Sequence, residues 1–216
     1  LFSYELVTDV LRGELGFDGV VMTDGLQMQA MTDHYGSGEI AVKALKAGVD
    51  LRFNTEVTPE LVKLAEDMVE TMYKARGVGL AAEQVGRLES VCVIDVPGSC
   101  EEDDETRAFN AAVKMPLVMF NPVVISTEGS QSGREGCLSF PRLGGTVVRP
   151  GQVTCQYTDL RGMPQIITAR GFLARAVMHE TDHLNGVLYV DRMSAAEKLE
   201  MADKLRRMAQ KNGGSM

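Results

Sequence analysis

The feature that most constrains the fold is a pair of histidines in an amphipathic segment towards the end of the sequence. Residues 179–183 read HETDH, an HExxH pattern inside the run GFLARAVMHETDHLNG, whose apolar residues recur at helical spacing. Because an α-helix turns once every ~3.6 residues, His179 and His183 project side by side and can share one metal ion. The pair Asn185-Gly186 predicts the end of this helix.

The third metal ligand distinguishes between classes of metalloenzyme. A metzincin protease needs another histidine at a position where this chain has Tyr189. A gluzincin takes a downstream glutamate, but Glu197 and Glu200 fit poorly because Glu197 is the natural capping-box partner of Ser194. Cys137 remains, in a segment of small residues, although a lone cysteine in such a place is more often a core residue. A chance HExxH without a metal is a further alternative.

Three segments resemble the signature motifs of peptide deformylases. Residues 77–84 (GVGLAAEQ) resemble the family pattern GxGLAAxQ, residues 135–139 read EGCLS, and residues 179–183 resemble the family's histidine motif. The order and spacing of the three motifs match as well, and the resemblance covers about residues 51–205. It implies an α+β fold with mixed or antiparallel sheets around a central HExxH helix. The order of predicted elements, helix, strands and then helix, also favours the α+β class.

The resemblance implies metal-dependent hydrolysis of the N-formyl group of N-formylmethionyl nascent peptides, with release of formate. Cys137, His179 and His183 would bind one divalent metal ion, with Fe²⁺ expected first and Zn²⁺, Ni²⁺ or Co²⁺ as substitutes. Such a metal activates a water molecule. Glu180 would accept the proton of that water and then deliver it to the departing amine.

The same resemblance assigns residues to the substrate. The side-chain amide of Gln84 and the backbone N–H of Leu138 would donate to the oxygen that gains charge in the transition state. The substrate would lie extended beside Val78 and Gly79 and pair with them like an added strand.

Charged residues complete the expected substrate-binding site. The resemblance places Glu135 and Arg149 there as structural and rim residues, and Asp182 is expected to orient a ligand histidine. Many family members carry an arginine at the position of Gly144, whereas this chain has Arg142 two residues earlier.

The first fifty residues depart from the deformylase pattern. The runs VLRGELGFDGVVMTDGLQMQAM and IAVKALKAGVD resemble a strand-helix piece of family-three glycoside hydrolases of the β-N-acetylglucosaminidase type, in which Asp24 matches the nucleophile. About 50 residues cannot close the barrel of those enzymes, so we expect Asp24 to be idle. We therefore predict a chimera, with a βαβ-like appendage at 1–50 and a catalytic domain at 51–216. An isolated βαβ unit cannot bury its apolar faces, which suggests packing on the catalytic domain or a homo-oligomer.

Composition limits the partners of the chain. The net charge of −8 argues against sequence-independent binding of DNA. The absence of a long apolar run and of a secretory signal predicts no membrane segment and a cytoplasmic location. Cys92 and Cys155 lie in apolar strand-like runs and are expected to be reduced thiols. The acidic stretch at 97–110 predicts a solvated loop. Basic residues of the final helix could contact ribosomal RNA transiently or simply form a solvated face.

Two other functions remain open at this stage. A non-catalytic deformylase-like fusion or scaffold would keep the fold without the chemistry, but nothing structural requires Glu180. A zincin-like metallopeptidase is disfavoured because the third downstream ligand is missing.

Overall fold

The computed structural model describes residues 56–211, together with the short stretches 9–10 and 14–15. The strands and helix predicted between residues 17 and 50, and Asp24 with them, lie outside the described residues.

The described part of the chain is an α+β fold of five helices and seven strands. The helices are α1 Pro59–Lys74, α2 Asp104–Asn110, α3 Gly171–Leu184, α4 Tyr189–Arg192 and α5 Ala195–Lys211. The strands are β1 Gly79–Ala81, β2 Val91–Ile94, β3 Leu117–Glu128, β4 Gln131–Gly136, β5 Gly144–Arg149, β6 Gln152–Thr158 and β7 Pro164–Arg170. Short 3₁₀ helices occupy Ala82–Val85 and Gly98–Cys100.

Five strands form one sheet in the order β1-β2-β3-β6-β7, and β4 and β5 form a separate hairpin. Every strand pair among the described residues is antiparallel, so of the two sheet types expected from the sequence the antiparallel one is found. Among the described residues β1 is therefore an edge strand, which pairs with β2 alone.

The strand β2 is buried on both faces because a helix packs on each side of it. Val91 and Val93 belong to a core cluster with the apolar stripe of α1, whereas Cys92 and Ile94 belong to a second cluster with α3. A strand covered on both faces is apolar at every position, as the run VCVI is here. The core thus holds α3 against the first two strands of the sheet.

Polar side chains cap the starts of α1 and α5, and the cap of α5 is the Ser194 and Glu197 pair expected from the sequence. The Thr58 side chain accepts a hydrogen bond from the Leu61 N–H at 3.4 Å, one turn into α1. Ser194 Oγ accepts from the Glu197 N–H at 3.3 Å at the start of α5. All four cysteines are free thiols, and Cys92 and Cys155 are buried as expected.

The prediction of a solvated loop at 97–110 is wrong. This segment contains a 3₁₀ helix and α2, and Glu101 within it is only 6% exposed. Its carboxylate accepts hydrogen bonds from the N–H groups of Phe172 at 2.9 Å and Leu173 at 3.1 Å, and from Asn110 Nδ2 at 2.8 Å. The physical reason is that α3 begins at Arg170-Gly171 without a side-chain cap of its own. Glu101 therefore supplies the cap that the first turn of α3 lacks.

No helix among the described residues is long and apolar enough to cross a membrane.

Candidate metal centre

The helix α3 carries both histidines of the HExxH pattern and buries them. His179 and His183 lie one turn apart with their ring centroids 4.9 Å from each other. Cys137 follows β4, and its Sγ lies 3.2 Å from His183 Nε2. One ligand atom from each of these three residues lies within 4.8 Å of the others. Two imidazoles and one thiol thus meet at one point, on elements from two separate parts of the chain.

A buried carboxylate orients the first histidine. Glu135 Oε2 lies 2.9 Å from His179 Nδ1, which leaves Nε2 of the same ring for the cluster. Arg149 holds both oxygens of Glu135 at 2.9 Å, and Arg175 Nη1 contacts Oε1 at 3.0 Å. The expectation that Asp182 orients a histidine is not met, because Asp182 pairs with Arg149 and Arg192 instead. The group that holds the ring is Glu135.

The charges of this cluster are strongly coupled. Burial alone would raise the pKa of Cys137, but hydrogen bonds with His179 and His183 lower it to about 5. Burial would lower the pKa of His179, but its hydrogen bonds with Cys137 and Glu135 raise it to about 10. Burial opposes ionisation of Glu135 as well, and its bonds to Arg149 and His179 bring its pKa down to about 2. The cluster thus favours a thiolate, which is the form of cysteine that binds a metal.

Glu180 lies beside the cluster and is almost completely buried, at 4% exposed. Burial raises its pKa to about 8. Its Oε2 has no hydrogen-bond partner among the described residues. A Cβ atom added at Gly79 would lie 2.1 Å from Oε1, so only glycine at this position of β1 leaves room for the carboxyl group. A buried polar atom without a partner is costly, so this oxygen is available for a further hydrogen bond.

A cavity of about 430 Å³ opens onto these groups. Gln84 lines it, and the Gln84 side-chain oxygen accepts a hydrogen bond from the Ala81 N–H at 2.9 Å. That bond turns the amide nitrogen towards Cys137 Sγ at 3.3 Å and Ser139 Oγ at 3.0 Å. The donor of Gln84 therefore faces the cluster.

The structure brings most of the predicted site residues to one cavity. Its lining includes Val78, Gly79, Gln84, Glu135, Cys137, Leu138, His179 and Glu180. Arg149 is not part of the lining; it is 2% exposed and lies between Glu135 and Asp182. Its position does not support the expected place at the substrate rim. It supports a role in holding Glu135.

Sequence reasoning missed Arg175, which also holds Glu135. Arg175 precedes His179 by four residues and His183 by eight, so the three share one side of α3. It is buried, and it donates to the Val147 carbonyl at 3.1 Å in addition to Glu135. A charged residue on the buried side of a predicted helix was the available signal, because such a residue needs a partner.

Two imidazoles, a thiolate and a buried carboxyl at the head of a cavity are typical of a metal-dependent hydrolase. The family profile described as polypeptide deformylase matches residues 43–199 of the chain. The peptide deformylase of Lachnoclostridium phytofermentans is 45% identical over 139 residues, which are 64% of this chain and 77% of the relative. That of Endomicrobium trichonymphae is 43% identical over 153 residues, 71% of this chain and 83% of the relative.

Solved structures agree with these relatives. The crystal structure of a peptide deformylase from Synechococcus elongatus in complex with actinonin is 37% identical, has a TM-score of 0.59, and aligns over 76% of this chain and 83% of that one. A plant peptide deformylase structure is 30% identical with a TM-score of 0.64, over 74% of this chain and 82% of the other. The chain therefore belongs to the peptide deformylase family, whose members remove the N-formyl group from nascent peptides.

Proposed function

We propose that this chain hydrolyses the N-formyl group of N-formylmethionyl peptides and releases formate. The observation that carries the proposal is Glu180, a buried carboxyl with one unpartnered oxygen beside three metal-ligand side chains. No structural role requires a carboxyl in this place, because Glu180 is not part of an ion pair among the described residues and costs free energy to bury. A proton-transfer role explains why it is kept.

Cys137, His179 and His183 would hold one divalent metal ion. Their donor atoms lie together, and the lowered pKa of Cys137 favours the thiolate that such a site needs. One thiolate and two imidazoles suit Fe²⁺, which we propose as the metal, with Zn²⁺, Ni²⁺ and Co²⁺ as substitutes. Such an ion, held by these three residues, would supply an activated water as nucleophile, because it lowers the pKa of bound water to about 7.

Glu180 moves the protons in this proposal. Its raised pKa, about 8, lies near neutrality, where a carboxyl can both accept and return a proton. Oε2 would accept the proton of the attacking water, and the same carboxyl would protonate the departing amine. Gly79 allows β1 to lie close against this carboxyl, because a Cβ there would be 2.1 Å from Oε1.

Two donors would stabilise the developing oxyanion. The Gln84 amide nitrogen already points at the cluster, since its oxygen is held by the Ala81 N–H. The backbone N–H of Leu138 has no acceptor among the described residues. Each such donor is typically worth about 3 kcal/mol to the transition state.

The edge strand β1 supports the proposed mode of substrate binding. Within the described part of the chain it pairs only with β2, and its Gly79 and the preceding Val78 line the cavity. An extended peptide can pair there as an added strand. Glu135 and Arg149 would act indirectly, through the orientation of His179.

The proposals for the rest of the chain rest on sequence. We propose that residues 1–50 form an appendage related to family-three glycoside hydrolases, joined to a catalytic domain at 51–216, and that the enzyme works in the cytoplasm. We also propose a homo-oligomer through the appendage and a transient ribosome contact through the basic residues of α5. Size-exclusion chromatography of the full chain beside a 51–216 truncation tests the oligomer, and an unchanged oligomeric state in the truncation would exclude it.

The experiment for the main proposal is an assay of formate release from formyl-Met-Ala-Ser. The protein is purified anaerobically with Fe²⁺, or loaded with Ni²⁺, and compared with Glu180→Gln and with the exposed control Glu102→Gln. We expect release that requires metal, falls at least about 100-fold in Glu180→Gln, and persists in the control. Folded, metal-loaded protein without release would instead support a non-catalytic scaffold. Cleavage of unformylated peptides would support a metallopeptidase.

A further inference from the structure

Three arginines surround the mouth of the cavity. Arg76 follows α1, Arg134 lies on β4, and Arg142 lies in the loop between β4 and β5. All three line the cavity, and all three are exposed to solvent. They reach one opening from three separate segments of the chain.

These arginines differ from most others in the described part of the chain because none of the three has a carboxylate within ion-pair distance there. Ion pairs to Asp or Glu engage Arg87, Arg107, Arg149, Arg161, Arg170, Arg175, Arg192 and Arg206. The chain as a whole has 30 acidic residues against 22 basic ones, so unpaired arginines are not the result of a lack of acids.

The local backbone also gives no reason for arginine at two of these positions. Arg76 has φ of 58° and Arg142 has φ of 65°, a region where glycine or asparagine is more usual. At Arg76 the turn ends α1, with the Gly77 N–H donating to the Met72 carbonyl at 2.9 Å, an arrangement in which glycine is the common residue. Arginine at these two positions therefore carries a cost in backbone conformational free energy.

The acids of the cavity do not neutralise the mouth. Glu135 is buried and already bonded to Arg149, Arg175 and His179. Glu180, the other carboxyl group that lines the cavity, is buried at 4% exposed, whereas the three arginines are exposed. The mouth of the cavity is therefore a positive region on an otherwise acidic protein, and such a region attracts negative ligands.

We propose that Arg76, Arg134 and Arg142 select formylmethionyl peptides with aspartate or glutamate in the residues that follow the methionine. The inference rests on the proposed function, because a formyl group placed at Glu180 directs the following residues outwards through the mouth. Guanidinium groups bind carboxylates with two parallel hydrogen bonds, and lysine or arginine side chains of a substrate are repelled. The selected substrates are acidic nascent N-termini.

The test compares three peptides of equal length with amidated C-termini: formyl-Met-Ala-Asp-Glu-Ala, formyl-Met-Ala-Gln-Gln-Ala and formyl-Met-Ala-Lys-Lys-Ala. Exposed ion pairs are weak, so we expect kcat/KM to differ about tenfold between the acidic and the basic peptide at low salt. The ratio should fall towards one at ~0.5 M salt, because screening removes exposed attractions.

The triple variant Arg76→Gln, Arg134→Gln and Arg142→Gln should bring the ratio close to one. Arg161→Gln is the matched control, since Arg161 is exposed, pairs with Asp159 and does not line the cavity; it should keep the ratio of the unmodified protein. The ratio is measured within each protein, so a general loss of activity does not affect it. Equal rates for the three peptides, or a ratio that survives the triple substitution, would overturn the proposal.

A binding measurement tests the role of the three arginines independently of turnover. Fluorescence anisotropy of the same peptides, labelled at the C-terminus, on metal-loaded Glu180→Gln should show the same order of affinities. If no peptide is deformylated, the proposed function fails while the binding order still tests the role of the arginines. Equal affinities for acidic and basic peptides would overturn that role.

Discussion

Replacing Glu101 by alanine tests whether the acidic segment caps the helix that carries the metal ligands. The change removes the acceptor of two backbone N–H groups at the first turn of α3 and of Asn110 Nδ2. Hydrogen bonds to charged groups contribute ~1.5–3 kcal/mol each, and loss of an N-cap costs ~0.5–2 kcal/mol. These contributions are not additive within one network, so we expect a loss of about 3 kcal/mol. That is a large part of a typical stability of ~5–15 kcal/mol.

The assay is urea denaturation at fixed metal occupancy, because bound metal adds its own stabilisation. Glu102→Ala is the matched control: it removes the same charge from the next, exposed position and should change the free energy of unfolding by less than about 0.5 kcal/mol. If Glu101→Ala also stays within about 0.5 kcal/mol of the unmodified protein, the capping argument is refuted.

Three further predictions concern the site. Gly79→Ala would place a Cβ 2.1 Å from Glu180 Oε1 and should lower kcat at least about 100-fold. Gly98→Ala is the control, because its Cβ would meet nothing closer than 3.6 Å. Equal rates for the two variants would refute the prediction. Glu135→Gln breaks buried ion pairs and should lower the free energy of unfolding by ~3–5 kcal/mol. In a chelator competition it should also weaken metal binding ~10–100-fold. The exposed control Glu128→Gln should change neither stability nor metal affinity. In metal-free protein, alkylation of Cys137 by iodoacetamide should slow only when the pH falls through about 5, because the pKa of the thiol is lowered to that value. Alkylation of an ordinary thiol would already slow below pH ~8.5. Added metal should protect Cys137 from alkylation.

Local patterns predicted the parts of this protein that depend on local geometry. Spacing alone predicted that His179 and His183 lie side by side on α3, and the capping box of Ser194 and Glu197 marked the start of α5. The family resemblance added Gln84 and Leu138, and the structure places both at the cavity. The roles of Gln84 and Leu138 in the reaction remain predictions.

The errors concern partners that lie far apart in the sequence. Glu135 holds His179 from 44 residues away, whereas the residue expected to orient a ligand histidine, Asp182, lies on the same helix as both histidines. Glu101 looked like one more acid in a solvated run, although it caps a helix that starts 70 residues later. Because charged residues in a short window look solvated by default, their buried partners cannot be identified before the chain is folded.

The contact between Gly79 and Glu180 would fix the register in which a substrate peptide binds. A peptide paired with the edge of β1 can shift only by whole residues, and a shift of one residue turns every side chain to the opposite face. The Glu180 carboxyl group lies against the strand at Gly79, where an added Cβ would be 2.1 Å from Oε1. The register that places the formyl carbonyl beside Gly79 would bring it to the reacting groups. An enzyme with this arrangement would remove the terminal formyl group and leave the internal peptide bonds of the same polypeptide intact.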